Sequence, residues 1–348
     1  MSHVVRRPSP GLSRTATGQS GTTPTLKFGG ALLALALCSA CGGSSTTLST
    51  GGQNARYIGR TLFVNGRPVT AARLNPLPRY ATMYPDHHGK KKYEYVFNEY
   101  ETYASIFDYP KSVQEIGSIP GDGGQGCTNV LYGYGKKYFW NIGGNTQITE
   151  YRVPDQPIKT LTTTYSFPTS CAMNTSGDLA VGIYDNGAVL IFKNANGSGT
   201  AYPTSLGAEF FDGYDAQGNL FADGFSGSSF GLVELPKGAG KFITLKTSNV
   251  VQFPGSVQWD GSYLTVFDQI ANATYRYTIS GTNATLQNTI HYTGSSDCAQ
   301  TWIVKGLIYC GDAGNNDGEV FKYPDGGSPV AVFTGNFDLP LGVTAARK

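Results

Sequence analysis

The chain has 348 residues, which is enough for one large β domain or for two domains of ordinary size. Only 14% of the residues are charged, while glycine (46) and tyrosine (22) are abundant. This composition disfavours helical bundles and favours many short strands joined by tight turns. The formal net charge of +2 excludes the strongly basic surface that is typical of nucleic-acid binding.

The first 40 residues have the features of a cleaved export signal. Residues 1–27 contain four basic residues and no acidic residue. The apolar stretch Phe28–Ala40 that follows is too short to span a bilayer, which takes about 20 residues. Cys41 comes next, after a Ser-Ala pair, and small polar residues continue to Gly52. We therefore predict that residues 1–40 are removed.

This leader resembles a bacterial lipoprotein signal, in which a cysteine becomes the lipid-bearing first residue of the mature chain. The resemblance implies that Cys41 is a lipid anchor, that residues 41–56 form a flexible tether, and that the protein lies at a membrane surface without entering it. Cys38 stands where such signals usually have leucine. The alternative is ordinary cleavage after Ala40, which would release a secreted protein. Without residues 1–40 the chain has 22 basic and 24 acidic residues.

A repeat organises the chain from residue 93 to the C-terminus. Six strand-like segments, of which SIFDYPKS is the first, each close on a large residue, and successive closing residues are 42, 41, 43, 42 and 46 positions apart. The closing residues are Tyr109, Tyr151, Phe192, Leu235, Tyr277 and Tyr323. Another strand begins upstream of each, and most of these are preceded by a third strand and a glycine-containing turn.

Four antiparallel strands in each repeat predict one blade of a β-propeller. We predict an all-β fold, a six-bladed β-propeller of four-stranded antiparallel blades over residues 93–348. The first blade lacks an innermost strand, so we expect the C-terminal segment Leu339–Arg347 to pair near Tyr93–Asn98 and close the ring. Residues 57–92 are predicted as an N-terminal extension. The alternative is a seven-bladed ring that recruits residues 53–92 as extra strands.

The turns at residues 176–179 (SGDL) and 217–220 (QGNL), each leading into a strand, resemble those of six-bladed propellers of the NHL and SMP-30/gluconolactonase-like kind. The resemblance specifies the fold but not the chemistry, because this architecture supports hydrolases, lyases and binding proteins. In the lactonases of this kind, glutamate, asparagine and aspartate oxygens hold a divalent cation, such as calcium, at the channel mouth. The corresponding candidate ligands here are Asn129, Asn174, Asp212 and Asp297. Residues of these types can instead cap turns at strand ends.

Four cysteines follow the leader, and an even number in an exported protein fits disulfides. Cys127 and Cys171 stand at the same phase of adjacent repeats, near the starts of innermost strands that converge, so we predict that they form a disulfide. Cys298 and Cys310 lie in one repeat. A tight turn between their strands would place Cys310 opposite Thr301, so a second disulfide needs a longer loop or a bulge.

Histidine is scarce, with four in the chain, and this disfavours a Ser-His-Asp hydrolase. The sequence favours a monomeric binding or interaction platform whose ligand is a protein, a peptide or a carbohydrate. Trp259 and Trp302 on innermost strands suit peptide or carbohydrate surfaces, although such aromatics more often pack within sheets. The alternative function is a divalent-cation-dependent, lactonase-like hydrolase with its site at the channel mouth.

Overall fold

The computed structural model describes residues 46–50, 53–58, 61–64, 67–69, 92–98, 103–120, 124–128, 138–143, 146–335, 337 and 339–347. They form an all-β fold with two short 3₁₀ helices, at Tyr184–Asn186 and Lys193–Ala195. The predicted signal (1–40), the predicted anchor Cys41 and the candidate ligand Asn129 lie outside the described residues. Within the described part of the chain, no helix is long and apolar enough to cross a membrane.

The strands nearest the N-terminus form an antiparallel sheet of their own. They are β1 (Thr46–Thr50), β2 (Gln53–Ile58), β3 (Thr61–Val64) and β4 (Arg67–Val69). Strand β1 and the start of β2 fall within residues 41–56, the segment predicted as a flexible tether, so the structure has strands there that the sequence analysis does not foresee.

The strands that follow form four-stranded antiparallel units. The closing unit contains β5 (Lys92–Asn98), β6 (Tyr103–Phe107), β7 (Gly117–Pro120) and, from the chain end, β28 (Pro340–Arg347). Unit 1 contains β8 (Gly124–Thr128), β9 (Tyr138–Gly143), β10 (Gln147–Arg152) and β11 (Gln156–Thr162). Unit 2 contains β12 (Pro168–Met173), β13 (Leu179–Ile183), β14 (Ala188–Phe192) and β15 (Thr200–Pro203).

Three further units follow the same order. Unit 3 contains β16 (Ala208–Tyr214), β17 (Leu220–Ser226), β18 (Ser229–Leu235) and β19 (Ile243–Thr247). Unit 4 contains β20 (Pro254–Trp259), β21 (Leu264–Asp268), β22 (Ala273–Ser280) and β23 (Asn283–His291). Unit 5 contains β24 (Cys298–Val304), β25 (Leu307–Asp312), β26 (Asp317–Lys322) and β27 (Gly326–Phe333).

The repeat read from the sequence matches these units strand by strand. The second strands of units 1 to 4 begin at Tyr138, Leu179, Leu220 and Leu264, upstream of the closing residues of their repeats. The hairpin turns before the second strands of units 2 to 5 contain glycines with positive φ, which only a residue without a β-carbon adopts easily. These are Gly177 (90°), Gly218 (88°), Gly261 (104°) and Gly306 (80°).

The predicted pairing of the C-terminal segment is confirmed. Strand β28 pairs antiparallel with β5, with Thr344 opposite Tyr95 and Val343 opposite Val96. The first strands of successive units also contact one another in the cyclic order β8, β12, β16, β20, β24, β28 and back to β8. The side-chain amide of Gln300 on β24 connects three of them, because its Oε1 accepts from the backbone N–H of Gly126 on β8 and of Val343 on β28.

Units 3 and 4 depart from the prediction of separate four-stranded sheets. Strand β19 pairs in parallel with β23, through Lys246 opposite Asn283 and Thr247 opposite Ala284, and this merges the two units into one eight-stranded sheet. The outermost strands of the two units lie side by side over a few residues, so they share backbone hydrogen bonds. The Lys246 N–H donates to Thr282 O (2.8 Å).

The largest hydrophobic cluster combines several units around the centre. It includes Trp140 of unit 1, Val181 of unit 2, Tyr309 of unit 5, and Phe107 and Val343 of the closing unit, all fully or almost fully buried. A second cluster combines units 3 and 4. Because these cores lie between units, no unit buries its apolar surface alone.

Candidate functional site

A groove of about 500 Å³ separates units 3 and 4. It lies at the face that carries the β16–β17 and β20–β21 turns. Its walls include Phe221 and Glu234 of unit 3 and Trp259 and Tyr277 of unit 4, and Asp215 lies in the turn at its edge. This volume falls within the range of about 300–1,000 Å³ that is typical of small-molecule sites.

The turns that border the groove are held by capping carboxylates. Asp215 Oδ1 accepts from the backbone N–H groups of Gln217 (2.9 Å) and Asn219 (2.8 Å). In unit 4, Asp260 Oδ1 accepts in the same way from Ser262 and Tyr263 (both 2.8 Å). The groove therefore has rigid edges, because each turn is fixed by its own aspartate.

Residues close to the parallel pairing of β19 with β23 form part of the groove lining. Ile243, at the start of β19, and Gly281, in the turn before β23, both line the groove next to this pairing. Units 3 and 4 are consequently joined at their outer edges as well as through their first strands, β16 and β20. The merged sheet that departs from the prediction lies beside the groove.

The groove combines aromatic and acidic side chains. The Trp259 ring is partly exposed, while its indole N–H is buried and has no hydrogen-bond partner among the described residues. The Tyr277 hydroxyl is already engaged, because it donates to Asn249 Oδ1 (2.7 Å). Burial, and secondarily the nearby Asp215, raises the pKa of Glu234 above its usual value. Such a site can pack against the apolar face of a ligand and hydrogen-bond its hydroxyl or amide groups.

The candidate cation ligands taken from the sequence occupy different environments. Asn174 caps the turn after β12, where its Oδ1 accepts from the N–H groups of Ser176 and Asp178 (both 2.9 Å). Asp212 lies within β16, and Asp297 directly precedes β24. Among the described residues, neither Asp212 nor Asp297 belongs to a group of acidic, cysteine or histidine side chains close enough to share a metal ion.

Asp212 instead belongs to a buried group of acids in unit 3. Glu209 and Asp223 are fully buried and Asp212 is 5% exposed. Glu209 reaches toward unit 2, where it accepts hydrogen bonds from Thr169 (3.1 Å) and Ser170 (3.0 Å). Gly182 makes room for it, since a β-carbon at that position would overlap the Glu209 carboxylate. No residue in the described part of the chain satisfies the carboxylate oxygens of Asp212 or Asp223.

Burial governs the protonation of this acidic group. It raises the pKa of Asp212 to about 7, a rise that the nearby Ser170 hydroxyl limits. Burial also raises the pKa values of Glu209 and Asp223 well above normal, and the mutual repulsion of the acids adds to this. Sequence reasoning selected Asp212 but missed Glu209 and Asp223. The available signal was an acidic residue inside each of two apolar strands, AEFFDGY and LFADGFS.

We predict that these acids make the protein less stable as pH rises. The folded state holds protons on Asp212 more tightly than the unfolded chain, so its contribution is fully favourable below about pH 4 and is lost as the pH approaches 7. Urea denaturation from pH 4.5 to 8 should show a falling free energy of unfolding. Asp212→Asn should flatten part of that decline, whereas Asp325→Asn, at an exposed position, should not. Equal slopes in all three proteins would refute this role.

The central space beside Asp212 is small. Asp212 lines a cavity of about 30 Å³ together with Thr128 and Trp302, whose hydroxyl and indole N–H also have no partner among the described residues. A cavity of this size holds about one or two water molecules. Trp302 is therefore a buried residue of the centre, and of the two tryptophans singled out from the sequence only Trp259 borders an open groove.

Both cysteine pairs considered in the sequence analysis form disulfides. Cys127 and Cys171 connect β8 of unit 1 to β12 of unit 2, with Cα atoms 5.7 Å apart. Cys298 and Cys310 are linked within unit 5, with Cα atoms 5.5 Å apart. The second bridge is possible because the β24–β25 register shifts between Cys298 and Thr301, which is the bulge that the sequence argument requires.

Residues 227–231 (GSSFG) match the spacing of a hydrolase nucleophile elbow. In the structure they form the turn and first residues of the β17–β18 hairpin, with Ser226 opposite Ser229. A nucleophile elbow is a strand-to-helix turn, so this segment lacks the geometry that exposes a catalytic serine.

Comparison with known proteins supports the fold alone. No protein-family model and no curated protein sequence matches the chain. A nidogen/laminin complex structure, which contains a β-propeller, is similar over 73% of this chain and 98% of the compared chain, with a TM-score of 0.58 and 10% identity. A protein of unknown function from Bacteroides caccae has a TM-score of 0.56 and 12% identity, over 74% of this chain and 100% of its own. A functionally unknown protein from Desulfotomaculum acetoxidans has a TM-score of 0.50 and 13% identity, over 73% of this chain and 98% of its own.

Proposed function

We propose that this protein is an exported six-bladed β-propeller that binds a peptide or a carbohydrate in the groove between units 3 and 4. The cyclic contacts of the first strands and the pairing of β28 with β5 support the six-bladed ring. The leader 1–40 and Cys41 support export and a lipid anchor. The two disulfides are consistent with an extracytoplasmic location.

The groove itself carries the binding proposal. It is a place where an open cavity, a partly exposed indole ring and a partly desolvated carboxyl group occur together. Sugars and peptides both present an apolar face beside hydroxyl or amide groups, and this combination matches the lining. The groove fits one or two sugar rings or a few peptide residues.

A test uses the fluorescence of Trp259. Trp140 is fully buried and Trp302 is 8% exposed, so a ligand in the groove should change the emission of Trp259 most strongly. We expect panels of oligosaccharides and short peptides to contain ligands that shift this emission. Trp259→Ala and Glu234→Gln should weaken their binding, measured by calorimetry, by about tenfold or more, as for anchor residues in other interfaces.

Asp325→Asn is the control, because Asp325 is exposed on unit 5 and away from the groove. Ligands that bind both groove variants as tightly as the original protein would exclude the groove as the site. Failure of every sugar and peptide to bind would also count against the proposed function.

The alternative hydrolase function rests on Asp212, whose carboxylate has no partner among the described residues. The cavity beside it measures about 30 Å³, which cannot accept a lactone ring. Asn174 is engaged in its turn and Asp297 lies outside that cavity. The binding function is therefore the better supported of the two.

A further inference from the structure

The β25–β26 hairpin of unit 5 contains three acidic side chains whose oxygens lie within 4.8 Å of one another: Asp312, Asp317 and Glu319. The strand register explains their proximity. Asp312 ends β25 opposite Asp317, and Glu319 stands two residues further along β26, opposite Cys310. Because alternate residues of a strand share a face, both β26 acids lie on the same side of the hairpin.

Hydrogen bonds from the backbone hold the Asp312 carboxylate in place. Its Oδ1 accepts from the backbone N–H groups of Asp297 (2.9 Å), Gly314 (2.9 Å) and Asn315 (3.0 Å). Its Oδ2 accepts from the N–H of Ser296 (2.6 Å). Oδ2 accepts this one hydrogen bond from the described backbone, so it can still bind another partner.

Unit 4 contains an aspartate with the equivalent backbone hydrogen bonds, and comparison with it shows what is unusual in unit 5. Asp268 accepts from the N–H groups of Gln252, Phe253, Ile270 and Ala271 in the equivalent way. The residue in the position of Glu319 is Tyr275, whose hydroxyl lies 3.5 Å from Asp268 Oδ2 as a donor. The residue in the position of Asp317 is Ala273. Unit 5 thus replaces one hydroxyl donor and one methyl group by two carboxyl groups.

The replacement places carboxylate oxygens, which accept hydrogen bonds, next to one another without a donor between them. Glu319 is 2% exposed. Neither its Oε2 nor Asp317 Oδ1 has a hydrogen-bond partner among the described residues. No lysine or arginine in the described part of the chain forms an ion pair with any of the three. A positively charged species between the oxygens would remove the repulsion between these carboxylates.

We propose that Asp312, Asp317 and Glu319 bind a divalent cation of the calcium class. All three donors are oxygens, which are the ligands of hard cations. The neighbouring Cys298 and Cys310 are joined in a disulfide, so they offer no thiolate for zinc. Calcium takes six to eight oxygen ligands in flexible geometry, so water would have to complete the shell from the side of the exposed turn at Gly314–Asn316.

A bound cation would have a defined structural effect. It would tie β26 to Asp312, and Asp312 is hydrogen-bonded in turn to the backbone that leads into β24, the first and innermost strand of unit 5. The site would therefore stabilise the inner end of this unit and is independent of the groove between units 3 and 4.

The test is calcium binding to the purified protein after treatment with a chelator. We expect CaCl₂ alone to raise the melting temperature and to give a calorimetric binding isotherm. Asp317→Asn and Glu319→Gln should each weaken calcium binding by at least the ~10-fold that loss of a supporting group costs at metal sites. The exposed Asp325→Asn in the same unit should bind calcium like the original protein.

Glu319→Gln also distinguishes a site that binds a cation from a site at which the three acids share a proton. If a cation is bound, this variant folds without calcium and loses the calcium response, while the original protein retains it. If the three acids share a proton instead, calcium leaves the melting temperature of the original protein unchanged and Glu319→Gln raises it at pH 8. That second result would overturn the proposal, as would an unchanged calcium affinity in both variants.

Discussion

Val343→Asp is expected to prevent the protein from folding. Val343 is fully buried on β28, the strand that joins the chain end to β5. A carboxylate there would have no charged partner, and an uncompensated buried charge costs about 3 to 5 kcal/mol, a large part of the stability of a typical domain. The measurement is the yield of monomer on size-exclusion chromatography, together with circular dichroism and urea denaturation.

The control is Val330→Asp, the same change on β27, where valine is 47% exposed. This variant should differ from the original protein by less than about 0.5 kcal/mol, as is usual for surface substitutions. If Val343→Asp were as stable as Val330→Asp, the C-terminal strand would not be part of the folded core, and the closure of the ring would be wrong.

Removal of the Cys127–Cys171 disulfide by replacing both cysteines with alanine is expected to destabilise the protein by about 4 kcal/mol. This bridge closes a loop with a sequence separation of 44 residues and joins the innermost strands of two units. Removal of the Cys298–Cys310 bridge in the same way should cost about 3 kcal/mol, because that loop spans only 12 residues within one unit.

Urea denaturation of both double variants under non-reducing conditions measures the difference. The comparison is matched, because all four cysteines are 3% exposed or less. The original protein in the presence of a reductant should unfold at or below the urea concentration of the less stable variant. A larger loss from the Cys298–Cys310 variant would show that restriction of the unfolded chain does not account for the effect of these bridges.

The candidate sites show why residue phase alone predicts function poorly. Asn174 and Asp215 stand at the ends of equivalent strands, and both cap turns. Asp212, three residues earlier than Asp215 in β16, faces the central cavity instead. The sequence shows that all three are polar residues near a strand end, but whether a side chain bonds its own turn or the centre depends on its exact place in the pleat.

The repeat, the second-strand positions of units 1 to 4, the pairing of the C-terminal segment with β5 and the Cys127–Cys171 bridge follow from the sequence by itself, because they depend on spacing, turn glycines and alternation within short segments. The groove, the buried acids of unit 3 and the three acids of unit 5 are decided only by the tertiary structure. Each of these arises where strands distant in sequence, or a shifted register, bring side chains together. Glu209 lies against Gly182 of another unit, and β19 pairs with β23 of another unit, so no local pattern could indicate either contact.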